Sequence, residues 1–244
     1  MTERHVFVAD VHLRREELAK RDALIGYLSG IAAPGVHLYV LGDLFDAWVG
    51  PVQLETEPEL GPVIEALGRF IDAGGKLTFF HGNRDYCMAD YLTRRFGAET
   101  VYYWKIIDLD GRKTYLNHGD LLCTGDQLYQ LARLVMRNRF LVGLFLRFFP
   151  PRLRLGFGLA YRGVSERRPA HRKERSGISR DKVRRLIRRG VELIVFGHVH
   201  EHIDRVYRVG DRQARLISLP VWQEHGVVLE YAHGDFTLRT INFT

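Results

Sequence analysis

His5-Val6-Phe7-Val8-Ala9-Asp10-Val11-His12 opens the chain with a short apolar run that ends in a carboxylate and an imidazole two residues apart. Continuous rather than alternating apolar character reads as a strand buried on both faces, and Asp-x-His then marks the point where it leaves its sheet. The same unit returns further along. Residues 16–29 have amphipathic helical spacing, and 36–41 form a second apolar run that ends in Gly42-Asp43-Leu44-Phe45-Asp46. Ile64, Leu67, Phe70 and Ile71 keep helical spacing between Pro62 and Gly74-Gly75, after which 76–81 lead into Gly82-Asn83-Arg84-Asp85. Strand alternating with helix predicts an α/β fold with a largely parallel sheet, whose sites lie at the carboxyl ends of its strands.

Beyond residue 81 the pattern changes. Residues 100–107 and 112–116 flank Asp110-Gly111 and predict a β-hairpin running into Asn117-His118-Gly119-Asp120. Residues 127–149 read as one helix, stopped by Pro150-Pro151 and followed by an apolar, arginine-rich stretch over 152–161. A basic helix over 178–189 and a buried strand over 191–196 lead into Gly197-His198-Val199-His200, and 202–243 read as three or four antiparallel strands. The expected organisation is a core of residues 1–124 and 166–244, with 125–165 inserted as a helical hairpin.

With 244 residues, 46% hydrophobic and 27% charged, the chain can bury a sizeable core, and its two cysteines exclude a disulfide scaffold and point to a reducing compartment. The start shows no secretory pattern, so the cytoplasm is expected. Net charge is +7, unevenly placed: residues 147–190 hold 15 Lys and Arg against three acids, a net +12, leaving 21 bases against 26 acids, or −5, elsewhere. Such a segment suits phosphate, nucleic acid or an anionic membrane surface, unless it is merely a solvated helical face.

Five clusters therefore mix Asp, Asn or His with glycine at strand ends. Any one alone is an ordinary turn or helix cap. Their conjunction is not, because Asp10, His12, Asp43, Asn83, His118, His198 and His200 combine hard oxygens with imidazoles, the donor set of Mn, Fe or Zn rather than calcium. Seven donors exceed the needs of one ion. Shared through Asp43 they divide into two sites, and ions about 3.5–4 Å apart can activate a bridging water.

In order and spacing, Asp10-Val11-His12, Gly42-Asp43-Leu44-Phe45-Asp46, Gly82-Asn83-Arg84-Asp85, His118 and Gly197-His198-Val199-His200 resemble the calcineurin-like metallophosphoesterases. The resemblance implies a four-layered αββα sandwich with a dinuclear centre, one metal on Asp10, His12, Asp43 and His200 and the other on Asp43, Asn83, His118 and His198. Arg84 stands where most members carry histidine. That residue, with Ala47-Trp48 and Leu121-Leu122-Cys123-Thr124-Gly125-Asp126-Gln127-Leu128-Tyr129, makes the whole chain similar to the UDP-2,3-diacylglucosamine diphosphatase family of lipid A biosynthesis.

That likeness implies hydrolysis of a UDP-linked diacylated glucosamine to UMP and 2,3-diacylglucosamine 1-phosphate, two divalent ions, typically Mn2+, and a peripheral place on the cytoplasmic face of the bacterial inner membrane. Asp43, Asn83, Arg84 and His118 would be catalytic, with Asn83, Arg84, Asp126, Tyr129, Ser165, Arg168, Arg172 and His198 contacting substrate. Arg84 would offer phosphate a planar guanidinium fork. The apolar helix carrying Phe140, Leu141, Leu144, Phe145 and Phe148 is too short to span a bilayer, which needs about 20 residues, and is expected to serve as an acyl-chain lid. Its greasy face argues against nucleic acid as partner, the filled ligand positions argue against a non-catalytic scaffold, and no obligate protein partner is expected.

Overall fold

A computed structural model describes residues 3–85, 87–123, 138–150, 152–154, 156 and 177–243. Strands β1 (Arg4–Val8), β2 (Val36–Val40), β3 (Lys76–Phe80) and β4 (Glu99–Val101) are parallel neighbours, linked by α1 (Leu18–Ile31), α2 (Gly61–Asp72) and α3 (Ala89–Phe96). The hairpin of β10 (His225–Ala232) and β11 (Asp235–Asn242) extends this sheet antiparallel from β1, giving the order β11-β10-β1-β2-β3-β4. A second sheet has the order β5-β6-β7-β9-β8. Its members are β5 (Trp104–Leu109), β6 (Arg112–Asn117), β7 (Leu193–Phe196), β8 (Ile203–Val209) and β9 (Arg212–Ser218), with β6, β7 and β9 mutually parallel. Helix α4 (Arg139–Phe148) falls between β6 and β7 in sequence, and α5 (Arg180–Arg188) precedes β7.

Period-two alternation separates the layers. On β1, Val6 and Val8 face a cluster with Leu24 and Leu28 of α1 and Val63 and Leu67 of α2, whereas Phe7 and Ala9 face the second sheet. On β7, Leu193 and Val195 turn to that inter-sheet layer, while Ile194 and Phe196 meet Val183 and Ile187 of α5. Each central strand is buried on both faces, which is why these runs are apolar without alternation. The resulting layers, helices on sheet on sheet on helix, are the αββα arrangement that the motif order implies.

Several expectations need correction. Residues 100–107 do not form one hairpin arm: Glu99–Val101 pair with β3 in the first sheet, and the chain crosses at Tyr102-Tyr103 before β5 pairs with β6 in the second. Hydrophobic pattern alone does not register a change of sheet. The strands over 202–243 are two hairpins, one in each sheet. Helix α3 and the 3-10 turns at Pro51–Glu55 and Pro58–Leu60 were not anticipated.

Of the expected helix over 127–149, residues 127–137 lie outside the described residues. Asn138 is extended, with ψ 109°, and its side chain accepts from the N–H groups of Phe140 and Leu141, so the described helix starts at Arg139. Phe140 is 74% and Phe148 67% exposed on it, with Leu141 and Leu144 also exposed.

Candidate metal centre

The parallel strands bring their carboxyl ends to one edge of the sandwich. Asp10 and His12 follow β1, Asp43 follows β2, Asn83 and Arg84 follow β3, His118 follows β6, and His198 and His200 follow β7. Main-chain bonds stitch these turns together: Asp10 N–H donates to Gly42 O, His12 N–H to Asp43 O, and Gly197 N–H to His118 O at 2.8 Å.

Glycine spacing now has a physical cause. A Cβ on Gly82 would lie 2.0 Å from Asp43 Oδ1, one on Gly197 would lie 2.3 Å from Asp10 Oδ2, and one on Gly119 would meet Gly197 O at 2.4 Å. The motif glycines let polar groups approach where any side chain would collide. Five of the seven candidate ligands, Asp10, His12, Asp43, His198 and His200, also have positive φ between 48° and 70°, a conformation uncommon outside glycine. Such backbone persists only where its surroundings over-determine it, and it clusters at functional sites.

The seven side chains converge in two adjoining groups. In the first, His12 Nε2 lies 3.2 Å from His200 Nε2, and each is 3.7 Å from Asp10 Oδ1. In the second, Asn83 Oδ1, His118 Nε2 and His198 Nδ1 are 3.0–3.2 Å from one another. Asp43 stands between them, its Oδ2 being 3.8 Å from His12 Nε2 and 3.6 Å from His118 Nε2. His198 and His200, two residues apart, thus reach different groups rather than sharing one strand face.

These atoms fit a cation better than they fit each other. With His118 Nδ1–H donating to Leu41 O at 2.8 Å, Nε2 of the neutral ring presents a lone pair to the Asn83 carbonyl oxygen. Asp10 Oδ1 is buried without a hydrogen-bond partner among the described residues. Burial pushes the Asp10 carboxyl well above its usual range and holds His12 and His198 down at about 3, so both imidazoles are neutral at pH 7. Burial also raises Asp43, but His118, His12 and Arg84 outweigh it and keep this carboxyl below the ordinary range. Asp10, His12 and His200, and likewise Asp10, Asp43 and His118, offer ligand atoms within 4.8 Å of one another.

Supporting residues emerge that the motifs did not single out. Buried Asp85 accepts from Gly82 N–H at 2.8 Å and Leu44 N–H at 3.0 Å, clamping the second and third turns together. Arg84 is tied into the same frame. Its N–H donates to Asp43 Oδ1 and its guanidinium pairs with buried Asp46, whose other oxygen is 3.2 Å from Arg14 Nε. Only the neighbourhood of Asp46 to a metal-type motif could have signalled this pairing. Asp126, Tyr129, Ser165, Arg168 and Arg172 lie outside the described residues. Phe140, Leu141, Leu144, Phe145 and Phe148 lie on α4, away from the seven donors in sequence, and Leu146 and Arg154 approach Gly50, in the loop that follows the Asp43 turn.

The fold and this donor set define a class. A model of the calcineurin-like phosphoesterases matches residues 4–202, and the chain belongs to that family. The family implies divalent metal ions, and the cluster described above is the candidate place for them.

Among curated relatives, a UDP-2,3-diacylglucosamine hydrolase of Aeromonas hydrophila is 32% identical over 236 residues, 96% of this chain and 97% of that protein. One of Stenotrophomonas maltophilia is 31% identical, covering 97% of this chain and 98% of its own length. A third, from Pseudomonas syringae pv. tomato, is 29% identical over 98% of this chain and 96% of its own. No helix among the described residues is long and apolar enough to cross a membrane.

Proposed function

We propose that this chain is a hydrolase that cleaves the pyrophosphate of UDP-2,3-diacylglucosamine in lipid A biosynthesis, releasing UMP and 2,3-diacylglucosamine 1-phosphate. The observation that carries the reaction type is the convergence of seven oxygen and imidazole donors from five strand ends. Similarity over 96% of the chain to a hydrolase of that name carries the substrate.

Asp10, His12, Asp43 and His200 would hold one divalent ion and Asp43, Asn83, His118 and His198 a second, with Mn2+ the expected metal. When bound, such a pair supplies an activated water at neutral pH and neutralises phosphoryl charge. The chain's own residues set the conditions. Leu41 O fixes the His118 tautomer so that Nε2 points its lone pair into the cluster. Arg84, braced by Asp46, places a permanently charged planar donor beside the cluster for the substrate phosphate. Asp126, Tyr129, Ser165, Arg168 and Arg172 are the proposed contacts to uridine, sugar and phosphates.

Residues 125–165 are proposed as an acyl-chain lid on the core of 1–124 and 166–244. Support comes from α4, where Phe140, Leu141, Leu144 and Phe148 are exposed although the composition is that of a core helix. The basic 147–190 segment is proposed to rest on the anionic cytoplasmic face of the inner membrane, where each basic residue contributes about 1 kcal/mol.

The test is a manganese-supplemented assay with UDP-2,3-diacylglucosamine, following UMP. UMP release abolished by chelation is expected. Hydrolysis of bis-p-nitrophenyl phosphate without UMP release would keep the reaction type and overturn the substrate.

A further inference from the structure

A cavity of about 370 Å³ lies on the outer face of the second sheet, between the β5–β6 edge and α5. Helix α5 has only nine residues and packs over β8 and β9, so it leaves the outer face of β5 uncovered among the described residues. The cavity has two kinds of wall. Lys182, Arg185 and Arg189, spaced along one face of α5 and just past its end, stand opposite Lys113 of β6, and none of the described lining residues is acidic. Lys113 Nζ donates to Arg189 O at 3.0 Å and Arg185 Nε to Asp181 O at 3.3 Å, bonds that orient the cations without neutralising them. Asp108, opposite Lys113 on β5, accepts from Gly111 N–H in the hairpin turn.

The other wall is apolar. Trp104, 53% exposed, stacks on Tyr115 with ring centroids 5.9 Å apart, and the aliphatic side chains of Ile106, Leu122, Leu186 and Val191 complete the floor. A tryptophan more than half exposed above an aliphatic floor and beneath four cations is matched by one ligand chemistry. A phosphate ester needs the cations, and an alkyl or glyceryl body needs the aliphatic floor. A nucleotide base would want several donors and acceptors along its edge, whereas the Trp104 indole N–H and the Tyr115 hydroxyl are the side-chain polar groups of this wall among the described residues.

We propose that this cavity binds the headgroup and first methylenes of an anionic phospholipid, at a site separate from the catalytic cluster; this deepens the membrane contact proposed for residues 147–190, on which it rests, and is independent of the proposed reaction. The cavity also adjoins the catalytic loop, since Leu121 and Leu122 line it three and four residues after His118, and Lys182 Nζ donates to Leu121 O. Strand β6 carries Lys113 at one end and leads to His118 at the other, roughly 16 Å apart.

The experiment uses monomeric dihexanoyl phosphatidylglycerol and the full chain, read by acrylamide-quenchable tryptophan fluorescence. Trp48 and Trp222 are only 2% and 1% exposed, so the quenchable signal reports Trp104. Saturable protection is expected, weakened about tenfold or more in R185Q/R189Q, and several-fold in the independent variant Lys113→Gln. His118→Ala should bind as wild type does, and both cavity variants should hydrolyse bis-p-nitrophenyl phosphate at the wild-type rate. Equal protection by dihexanoyl phosphatidylcholine would overturn the proposal, as would equal protection by UMP or inorganic phosphate, which would make the site one for soluble phosphates. Unchanged affinity in both variants, or loss of binding in His118→Ala, would overturn it too.

Discussion

The strand-end loops and helix α4 are built on opposite rules. The loops hold polar residues that are buried or half-buried, most of the metal-type ones in left-handed backbone conformations that favour glycine, and they are locked by main-chain bonds between neighbouring turns. Helix α4 holds apolar residues that are exposed, in ordinary helical backbone closed by a local Asn138 cap. Burying Asp10 with its Oδ1 lacking a hydrogen bond is costly, and so is exposing Phe140 and Phe148 to water, so neither arrangement is explained by folding stability alone. The difference teaches that the polar cluster and the exposed apolar surface occupy separate parts of the chain, one interlocked by main-chain bonds, the other supporting the proposed acyl-chain lid.

Four changes break or sharpen that contrast. The largest effect is expected from Gly82→Ala. Its Cβ would collide with Asp43 Oδ1, displacing the carboxylate shared by both groups. Hydrolysis of bis-p-nitrophenyl phosphate should fall by on the order of 10²-fold, as displacements near 1 Å do, with overpacking costing about 1–3 kcal/mol in denaturant unfolding. Arg84→Lys keeps the charge and the main-chain bond to Asp43 but loses the guanidinium held by Asp46. About a tenfold fall in kcat/KM is expected, with metal content by mass spectrometry unchanged.

The third prediction concerns pH. Asp10 and Asp85 have folded-state values raised by burial, so each contributes stability that is present below the unfolded carboxylate value and lost as pH rises through the folded one. His12 and His198 are lowered, so theirs is present above the unfolded imidazole value and lost as pH falls. Metal needs Asp10 ionised and both imidazoles neutral. The gain in Tm on adding Mn2+ to chelator-treated protein should therefore be larger at pH 8 than at pH 5.5, by differential scanning fluorimetry.

The smallest effect is expected at α4, where Leu144→Ser should change unfolding free energy by less than about 0.5 kcal/mol because the side chain is already exposed. Leu116→Ala, fully buried on β6, should cost about 2–5 kcal/mol. Comparable losses at the two positions would mean that α4 is core after all.

Much of the catalytic region was legible because its determinants are local. Asp10 and His12, or Gly42 and Asp43, are fixed by the strand before them and by the glycine beside them, and such pairs survive as short words in the sequence. What was hidden depends on tertiary placement. Nothing in residues 99–107 distinguishes a strand that pairs with β3 from one that pairs with β6, since both are short and half-buried. The Asp46–Arg84 pair joins residues 38 apart through the meeting of two turns. The helix start at Arg139 was equally hidden, because apolar residues run on both sides of the Asn138 cap.

The central claim is the division between an interlocked metal cluster for chemistry and an apolar helix for the lipid. It is tested most directly by assaying two substrates, UDP-2,3-diacylglucosamine and bis-p-nitrophenyl phosphate, on His118→Ala and on F145D/F148D under saturating Mn2+. The account predicts that His118→Ala loses both activities, whereas F145D/F148D loses UMP release while hydrolysing the small diester at close to the wild-type rate. Equal loss of both activities in F145D/F148D, or equal retention of both, would contradict it.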